Sequence, residues 1–433
     1  MKKLLLSFLL GAIAVADVSA QSAIYACGHI RRSRTTAITK LRNSGYTTAI
    51  IFNINVEVDG SLTTDFSWDS QTAAEAGGII CRDGKYTFGT YQPNYPDDVR
   101  RLLMSPSTIS RLEFCIGGWG NGSYGNIRKL IERDGTGENT ILYRNFAALK
   151  EAIPQVAVIN NDQEQDYDVA SAVAFHKMLN KIGYKTTIAP YMNLNYWRDL
   201  VSQLNANEKI CEIVYLQTYG GGANNNPKDW DVFGDIPMYV GFDNESNWNR
   251  SSMESQFQSW KANSKACGGF VWNYNNENHN LNEWAAAINR IFPTVVADEP
   301  VATFYEDIDY GGYAVALPEG EFRQTDLALY GIKSGDVTSF KVNEGYSVAL
   351  YSGSSFRGAI GEWTESVPWI GATANDRTNS IIIKHIESDG VEQVEADAES
   401  APRYYNLQGH EVGPDYRGLC IKVEGSRATK IHR

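Results

Sequence analysis

Eight short apolar runs, separated by segments of helical spacing between residues 24 and 275, constrain this chain more than any other feature. They are Ile24 to Cys27, Thr47 to Val56, Arg111 to Gly118, Gln155 to Asp162, Thr186 to Asn193, Ile213 to Tyr219, Met238 to Phe242 and Gly269 to Tyr274. Runs of this length alternating with helical patterns mark βαβ units around a parallel sheet. Eight in succession predict that the sheet closes, so a (β/α)8 TIM barrel is expected over residues 21 to 293. Ala37 to Ser44 and Val169 to Ile182 carry the i, i+3, i+4 apolar spacing of its outer helices.

The flanks of this region read differently. Lys2 and Lys3, the apolar stretch Leu4 to Ala16 and Val18-Ser19-Ala20 have the parts of a secretory signal over residues 1 to 20, so a secreted protein of about 410 residues is expected. No later stretch approaches the roughly 20 apolar residues of a membrane span. A net charge of −12 argues against nucleic acid, because phosphate binding needs clustered Lys and Arg. The six cysteines lack CxxC or metal-ligand spacing, and buried thiols and one or two disulfides both stay open. Gly120-Asn121-Gly122-Ser123-Tyr124-Gly125 fits a dinucleotide fingerprint, but it follows the third run rather than the first strand of a unit. Trp119 and Tyr124 read instead as candidate sugar-stacking rings.

After Pro293 the chain turns to alternating strand patterns broken by Gly. Here Tyr305-x4-Tyr310-x-Gly312 recurs as Tyr351-x4-Phe356-x-Gly358, about 46 residues later, and each copy leads to a serine, Ser339 or Ser380, before a β run. Two copies predict two Greek keys, an all-β domain over residues 300 to 386. Residues 387 to 402 are acidic and poor in apolar side chains, as in a flexible linker. Residues 403 to 433 read as a small C-terminal β unit.

Chemistry concentrates at the end of the fourth run. In Val158-Ile159-Asn160-Asn161-Asp162-Gln163-Glu164, period-two alternation puts Asn160, Asp162 and Glu164 on one face. That face points into the barrel mouth, where the catalytic groups of such barrels sit. The third run ends Cys115-Ile116-Gly117-Gly118-Trp119, the fifth carries Tyr191 and Asn193, the sixth ends Gln217-Thr218-Tyr219, and the eighth contains Trp272.

Together these motifs resemble family 18 glycoside hydrolases over roughly residues 22 to 292. The resemblance implies Glu164 as proton donor, Asp162 as the residue orienting the substrate N-acetyl group, and Tyr219 as the phenol bonding the acetamido oxygen. Trp272 matches the floor of the cleavage subsite, with Asn160, Trp119, Gln217, Tyr191 and Asn193 as further substrate contacts. The implied mechanism is substrate-assisted and retaining, an exception to the two-carboxylate scheme, and needs no cofactor. A carboxylic acid that must stay protonated needs a raised pKa, which a neighbouring carboxylate provides. Two family acids are replaced, by Ala157 and Asn160. Only about 26 residues separate the seventh and eighth runs, too few for the inserted subdomain of deep-cleft chitinases. An open groove is expected, as in endo-β-N-acetylglucosaminidases or compact chitinases acting on N-glycan or chitooligosaccharide. The loop Gly220 to Asn226 is placed to touch a branched glycan.

The repeated aromatic motif resembles the βγ-crystallin Greek key over Ala302 to Ile386. The resemblance implies calcium, with Asp376, the Asn375 backbone and Thr338 as ligands, hard oxygens that suit the ion. A purely structural module is the alternative. Tyr405 to Gly409 with Gly418-Leu419 resembles the tail of exported Bacteroidetes proteins, which implies sorting or cell-surface attachment. Two further readings stand beside the hydrolase: a carbohydrate-binding protein without turnover on the same barrel, and a structural adhesin built on the crystallin module.

Overall fold

The computed structural model describes residues 21–27, 34–64, 78–244, 250–274, 280–293, 299–386, 402–413, 415–424 and 427–433. The secretory signal expected at 1–20 and nearly all of the linker expected at 387–402 fall outside the described residues.

Each expected run contains a strand. In chain order these are β1 (Ser22–Ala26), β2 (Thr48–Val56), the short antiparallel strands β3 (Leu62–Thr63), β4 (Ile79–Arg82) and β5 (Lys85–Tyr86), then β6 (Arg111–Gly117), β7 (Val158–Asp162), β8 (Lys185–Ile188), β9 (Cys211–Leu216), β10 (Met238–Asp243) and β11 (Ala266–Tyr274). β1 pairs in parallel with both β2 and β11, so the parallel strands close into an eight-stranded barrel. β3 to β5 extend β2 outward as an antiparallel flap. β8 stops at Ile188, short of the expected Asn193, because Pro190 has no N–H for the ladder. Helices cover the outside, except that β9 and β10 are joined only by 3-10 turns at Gly220–Gly222 and Pro227–Trp230.

Local signals set the helix ends. The helix Val169–Ile182 starts where the Asp168 carboxylate accepts from the Ser171 N–H (2.8 Å), and it ends at Gly183 in the left-handed region (φ 106°). Its inner face buries Ala172, Phe175, Leu179 and His176. The barrel interior is filled by Tyr25, Tyr215, Tyr239 and Phe270 with smaller residues between them. One charge is enclosed with them: Glu113 accepts from Arg111 Nε (2.7 Å) and Tyr215 OH (3.0 Å) and from the Thr187 hydroxyl. A buried carboxylate is tolerable only with its oxygens occupied in this way.

The two aromatic repeats form a second core of Phe304, Leu317, Phe340, Leu350, Ile381 and their neighbours. One sheet is β12 (Ala302–Tyr305) between β13 (Ala314–Leu317) and β15 (Ser339–Val342). The other has the order β14 (Gly320–Phe322), β18 (Ser380–His385), β16 (Tyr346–Tyr351), β17 (Ala359–Trp363), so β14 of the first repeat joins the sheet of the second. Both corners are built alike. Tyr305 meets Tyr310 edge-on at 5.5 Å and Tyr351 meets Phe356 edge-on at 6.0 Å, and Gly312 and Gly358 take φ of 71° and 67°. The two serines close the corners: Ser339 Oγ accepts from Tyr310 N (3.1 Å) and Ser380 Oγ from Phe356 N (2.9 Å).

Barrel and Greek-key domain have separate cores yet form one compact unit. On the barrel helix Leu281–Ile291, buried Asn289 donates to Gly45 O (2.8 Å) and Ala328 O (2.9 Å). Arg290 donates to Gly331 O (2.9 Å) and Glu254 (3.1 Å) and lies 4.2 Å over the Tyr313 ring. Hydrogen bonds to a charged group contribute about 1.5–3 kcal/mol. Arg290→Ala is therefore expected to lower stability by about 2 kcal/mol and to split thermal unfolding of the unit into two calorimetric transitions; a single unshifted transition would contradict this contact.

The C-terminal unit is a three-stranded antiparallel sheet of Arg403–Asn406, Leu419–Glu424 and Arg427–His432 around buried Cys420. Its third strand is polar and gave no sequence signal. All six cysteines are free thiols.

Candidate active site

The alternation in β7 sorts its side chains as expected. Asn161 and Gln163 face the outer helices: Asn161 Nδ2 donates to His176 Nε2 (3.0 Å), and Gln163 accepts from Tyr196 OH. Because Nε2 accepts, the His176 proton sits on Nδ1 and is donated to Thr186 Oγ1 (2.9 Å). Asn160, Asp162 and Glu164 face inward. Tyr124, read above as a sugar-stacking ring, is buried edge-on against Phe175 at 6.2 Å instead, because it begins a helix whose inner face it supplies.

One amide ties the two carboxyls together. Gln217 Nε2 donates to Asp162 Oδ1 (2.9 Å), lies 3.0 Å from Ala189 O and reaches Glu164 Oε1 at 3.4 Å. Two N–H protons face three acceptors, so the bond to Glu164 is the weakest and that carboxyl is the most loosely held. Asp162 is 3 % exposed and its other oxygen faces the Cys115 thiol at 4.0 Å. Burial, and then the Glu164 charge, raise the Asp162 pKa well above the carboxylate range against the Gln217 bond that lowers it. Glu164 is raised as well, by burial, with Gln217 again opposing. Desolvation, rather than the like-charge repulsion expected from the sequence, is thus the first cause.

The loop after β6 approaches this pair closely. Gly117 takes φ 115°, and a Cβ there would lie 2.1 Å from Asp162 O; Gly118 N donates to that same oxygen at 2.7 Å. Only glycine fits at 117.

Above the carboxyls opens a cleft of about 840 Å³. Asp162, Glu164, Gln217, Tyr219, Tyr191 and Trp272 all line it, and Trp119, 81 % exposed, stands at its rim. Trp272 is held by Tyr25 (5.3 Å) and Phe52 (4.9 Å). Burial, Asp162 and Glu164 raise the Tyr219 pKa, which keeps its phenol protonated as a donor. Two expected contacts lie elsewhere. Asn160 is fully buried below the cleft, accepting from Tyr25 OH (3.0 Å) and donating to Thr187 Oγ1 (3.0 Å), because the strand carries it one layer deeper than Asp162. Asn193 caps the helix Leu194–Leu204 with φ 58° and is not part of the cleft lining, since Pro190 has already taken the chain out of the sheet. In the loop at Gly220, Gly220 and Gly221 reach the cleft, while Asn225 turns back to Tyr191 O (2.8 Å) and Gln217 O (2.9 Å).

Asp243, Asn53 and Asn55 also line the cleft and were not singled out from the sequence. The signal was present: Asn53 and Asn55 are the period-two polar positions at the end of the second run, and Asp243 immediately follows the seventh.

In the Greek-key domain the loops 334–339 and 375–380 meet. Gly335 N donates to Thr378 O (2.9 Å), and Ser334 donates to Asn379. Asn375 Nδ2 donates to the exposed Asp376 carboxylate (2.9 Å), while Asn375 Oδ1 is buried without a hydrogen-bond partner. Thr338 is buried and ties in through its backbone to Tyr305 and Ile370. Among the described residues no group of three His, Cys, Asp or Glu side chains converges, and no helix is long and apolar enough to cross a membrane.

No family model matches the chain. Development-specific protein S of Myxococcus xanthus is 33 % identical over 85 residues, which are 20 % of this chain and 48 % of that protein. Its homolog in the same organism is 35 % identical over 86 residues, with the same shares. The chain thus spans about half the length of the curated relatives it matches. A βγ-crystallin domain from Clostridium beijerinckii is 38 % identical, covering 19 % of this chain and 95 % of that one, with a TM-score of 0.19. One from Flavobacterium johnsoniae is 26 % identical, covering 20 % and 98 %, with a TM-score of 0.20. The paired corners and the relatives' identity agree: this is a multidomain chain in which a βγ-crystallin-like part accompanies a closed barrel of eight parallel strands.

Proposed function

We propose that the barrel is a secreted glycoside hydrolase of the family 18 type, cleaving β-linked N-acetylglucosamine glycans with retention. The observation that carries this reading is the pair Asp162 and Glu164, both with raised pKa, bridged by Gln217 under a cleft that also presents Tyr219 and Trp272. Glu164 donates its proton to the glycosidic oxygen as the bond to the anomeric carbon breaks. The substrate's acetamido oxygen bonds to that carbon, with Asp162 accepting the acetamido N–H and Tyr219 donating to the carbonyl oxygen. Water then opens the oxazolinium, giving its proton back to Glu164. The chain supplies orientation and charge stabilisation rather than a nucleophile. Incubating the full chain with N-glycoproteins and chitooligosaccharides and identifying the products tests this; no product from either panel contradicts it.

Asn160 favours a second reading. An uncharged amide stands where the family has an acid, and both its ends are occupied by Tyr25 and Thr187. Binding of the same glycans without turnover would support a lectin-like protein on this barrel.

For the Greek-key domain we propose calcium at the loop of Asn375 and Asp376, in which the partnerless Asn375 oxygen is a ready ligand. The ion would stabilise the domain and take no part in hydrolysis. Saturating calcium at about 100 times Kd is expected to add about 2.7 kcal/mol of stability. Asp376→Ala should abolish that gain in a thermal melt, and a calcium-independent melt of the unaltered chain would remove the site. The C-terminal sheet is proposed as a sorting or surface-attachment tail.

A further inference from the structure

The inward residues below Asp162 form one hydrogen-bonded chain with a fixed direction. It starts at Glu113 on β6, which is fully enclosed in the barrel, outside the cleft lining, and paired with Arg111 Nε at 2.7 Å. An ionised carboxylate only accepts. Thr187 on β8 has one hydroxyl proton and gives it to Glu113, so its oxygen is left to accept from Asn160 Nδ2 (3.0 Å). That bond turns the Asn160 carbonyl oxygen the other way, where it accepts from Tyr25 OH (3.0 Å). Each link leaves the next a single choice of donor and acceptor, and the charge at 113 makes the first choice. An ionised carboxylate at 160 would have no N–H to give Thr187, so the amide at 160 and the acid at 113 belong together.

The last link decides what Asp162 meets. Burial, and then the Asp162 charge, raise the Tyr25 pKa, so the phenol keeps a proton that an anionic Asp162 attracts. Asn160 holds that proton below. Of the two Asp162 oxygens, Oδ1 is taken by Gln217 (2.9 Å), while Oδ2 has only the Cys115 thiol at 4.0 Å, a weak donor. Oδ2 therefore stays open to a donor arriving from the cleft.

Resting on the hydrolase reading, we infer that Glu113 is a positioning residue: through Thr187 and Asn160 it keeps the Tyr25 proton off Asp162, which leaves Asp162 free to accept the substrate's acetamido N–H.

Thr187→Val cuts the chain beside the charge, and Thr187→Ser keeps it. With chitotetraose, KM is expected to rise about tenfold in Thr187→Val, as for one hydrogen bond to Asp162 that the substrate must displace, with kcat changed less and Thr187→Ser close to the unaltered chain. Tyr25→Phe added to Thr187→Val should bring KM back, because the competing proton is gone; a double variant no better than Thr187→Val overturns the inference. Asn160→Leu leaves Thr187 bonded to Glu113 and should show the same rise and the same rescue, which covers the case of Thr187→Val melting too low to assay. Crystal structures of Asn160→Leu, Thr187→Val and Thr187→Ser read the geometry with no substrate. Tyr25 Oη is expected within hydrogen-bond distance of Asp162 in the first two and of Asn160 in the third; Tyr25 turned away from Asp162 in all three overturns the inference. Glycans neither bound nor cleaved, alongside the expected Tyr25 shift, would remove the hydrolase reading and leave the directed chain standing.

Discussion

Glu164→Gln is expected to lower turnover on any cleaved glycan by about 10²–10⁴-fold, the contribution of a positioned general acid, while glycan binding persists. The raised pKa gives this a pH signature. Glu164 must carry a proton to act, so activity should be present below the raised pKa of the carboxyl pair and fall as pH rises through it. Stability separates loss of chemistry from loss of fold. An acid whose folded pKa lies above its unfolded value costs stability as pH rises between the two, and an amide removes that cost. The Gln variant should therefore melt no lower than the unaltered chain at pH 8. A folded variant that turns over normally would remove Glu164 from the reaction.

Acidification is expected to destabilise the barrel through His176. Burial lowers its pKa from 6.5 to about 3, and its two nitrogens are already engaged by Asn161 and Thr186 in the neutral form. The unfolded chain binds a proton near pH 6.5 and the folded one does not, so stability is full above that pH and is lost as pH falls toward 3. At about 1.36 kcal/mol per unit over about 3.5 units, the loss approaches roughly 5 kcal/mol at the acid end. Asp162 and Glu164 work in the opposite sense, gaining stability at low pH, so His176→Gln is the diagnostic variant. Urea unfolding from pH 7 to 4 should show a stability that declines steeply in the unaltered chain and more gently in the variant. Parallel profiles would mean that His176 does not carry the acid response.

Much of this architecture was legible because its signals are local. The eight strands announced themselves as apolar runs, and the inward face of β7 followed from alternation alone. The crystallin corners were visible because the repeat places Tyr, an aromatic, Gly and Ser at fixed offsets, and each of those residues has its own contact in the corner. What escaped depends on long-range placement. Asn160 shares a face with Asp162, but its depth is set by how far β7 runs before the cleft opens, which periodicity does not encode. Asn193 was misplaced because Pro190 ends β8 early. Tyr124 follows the cleft loop in sequence but is turned by its helix toward Phe175. The docking of the two domains through Asn289 and Arg290 left no trace in the sequence, since polar residues late in a helix usually face water.

The anomeric form of the first product tests the central proposal most directly. Proton NMR of the full chain mixed with chitotetraose or a hexose-extended chitobiose conjugate reads the new reducing end before mutarotation. Attack by the substrate's own acetamido group followed by water predicts that the β-anomer appears first and decays to the equilibrium mixture. An initial α-anomer, or no new reducing end from either substrate, would contradict it.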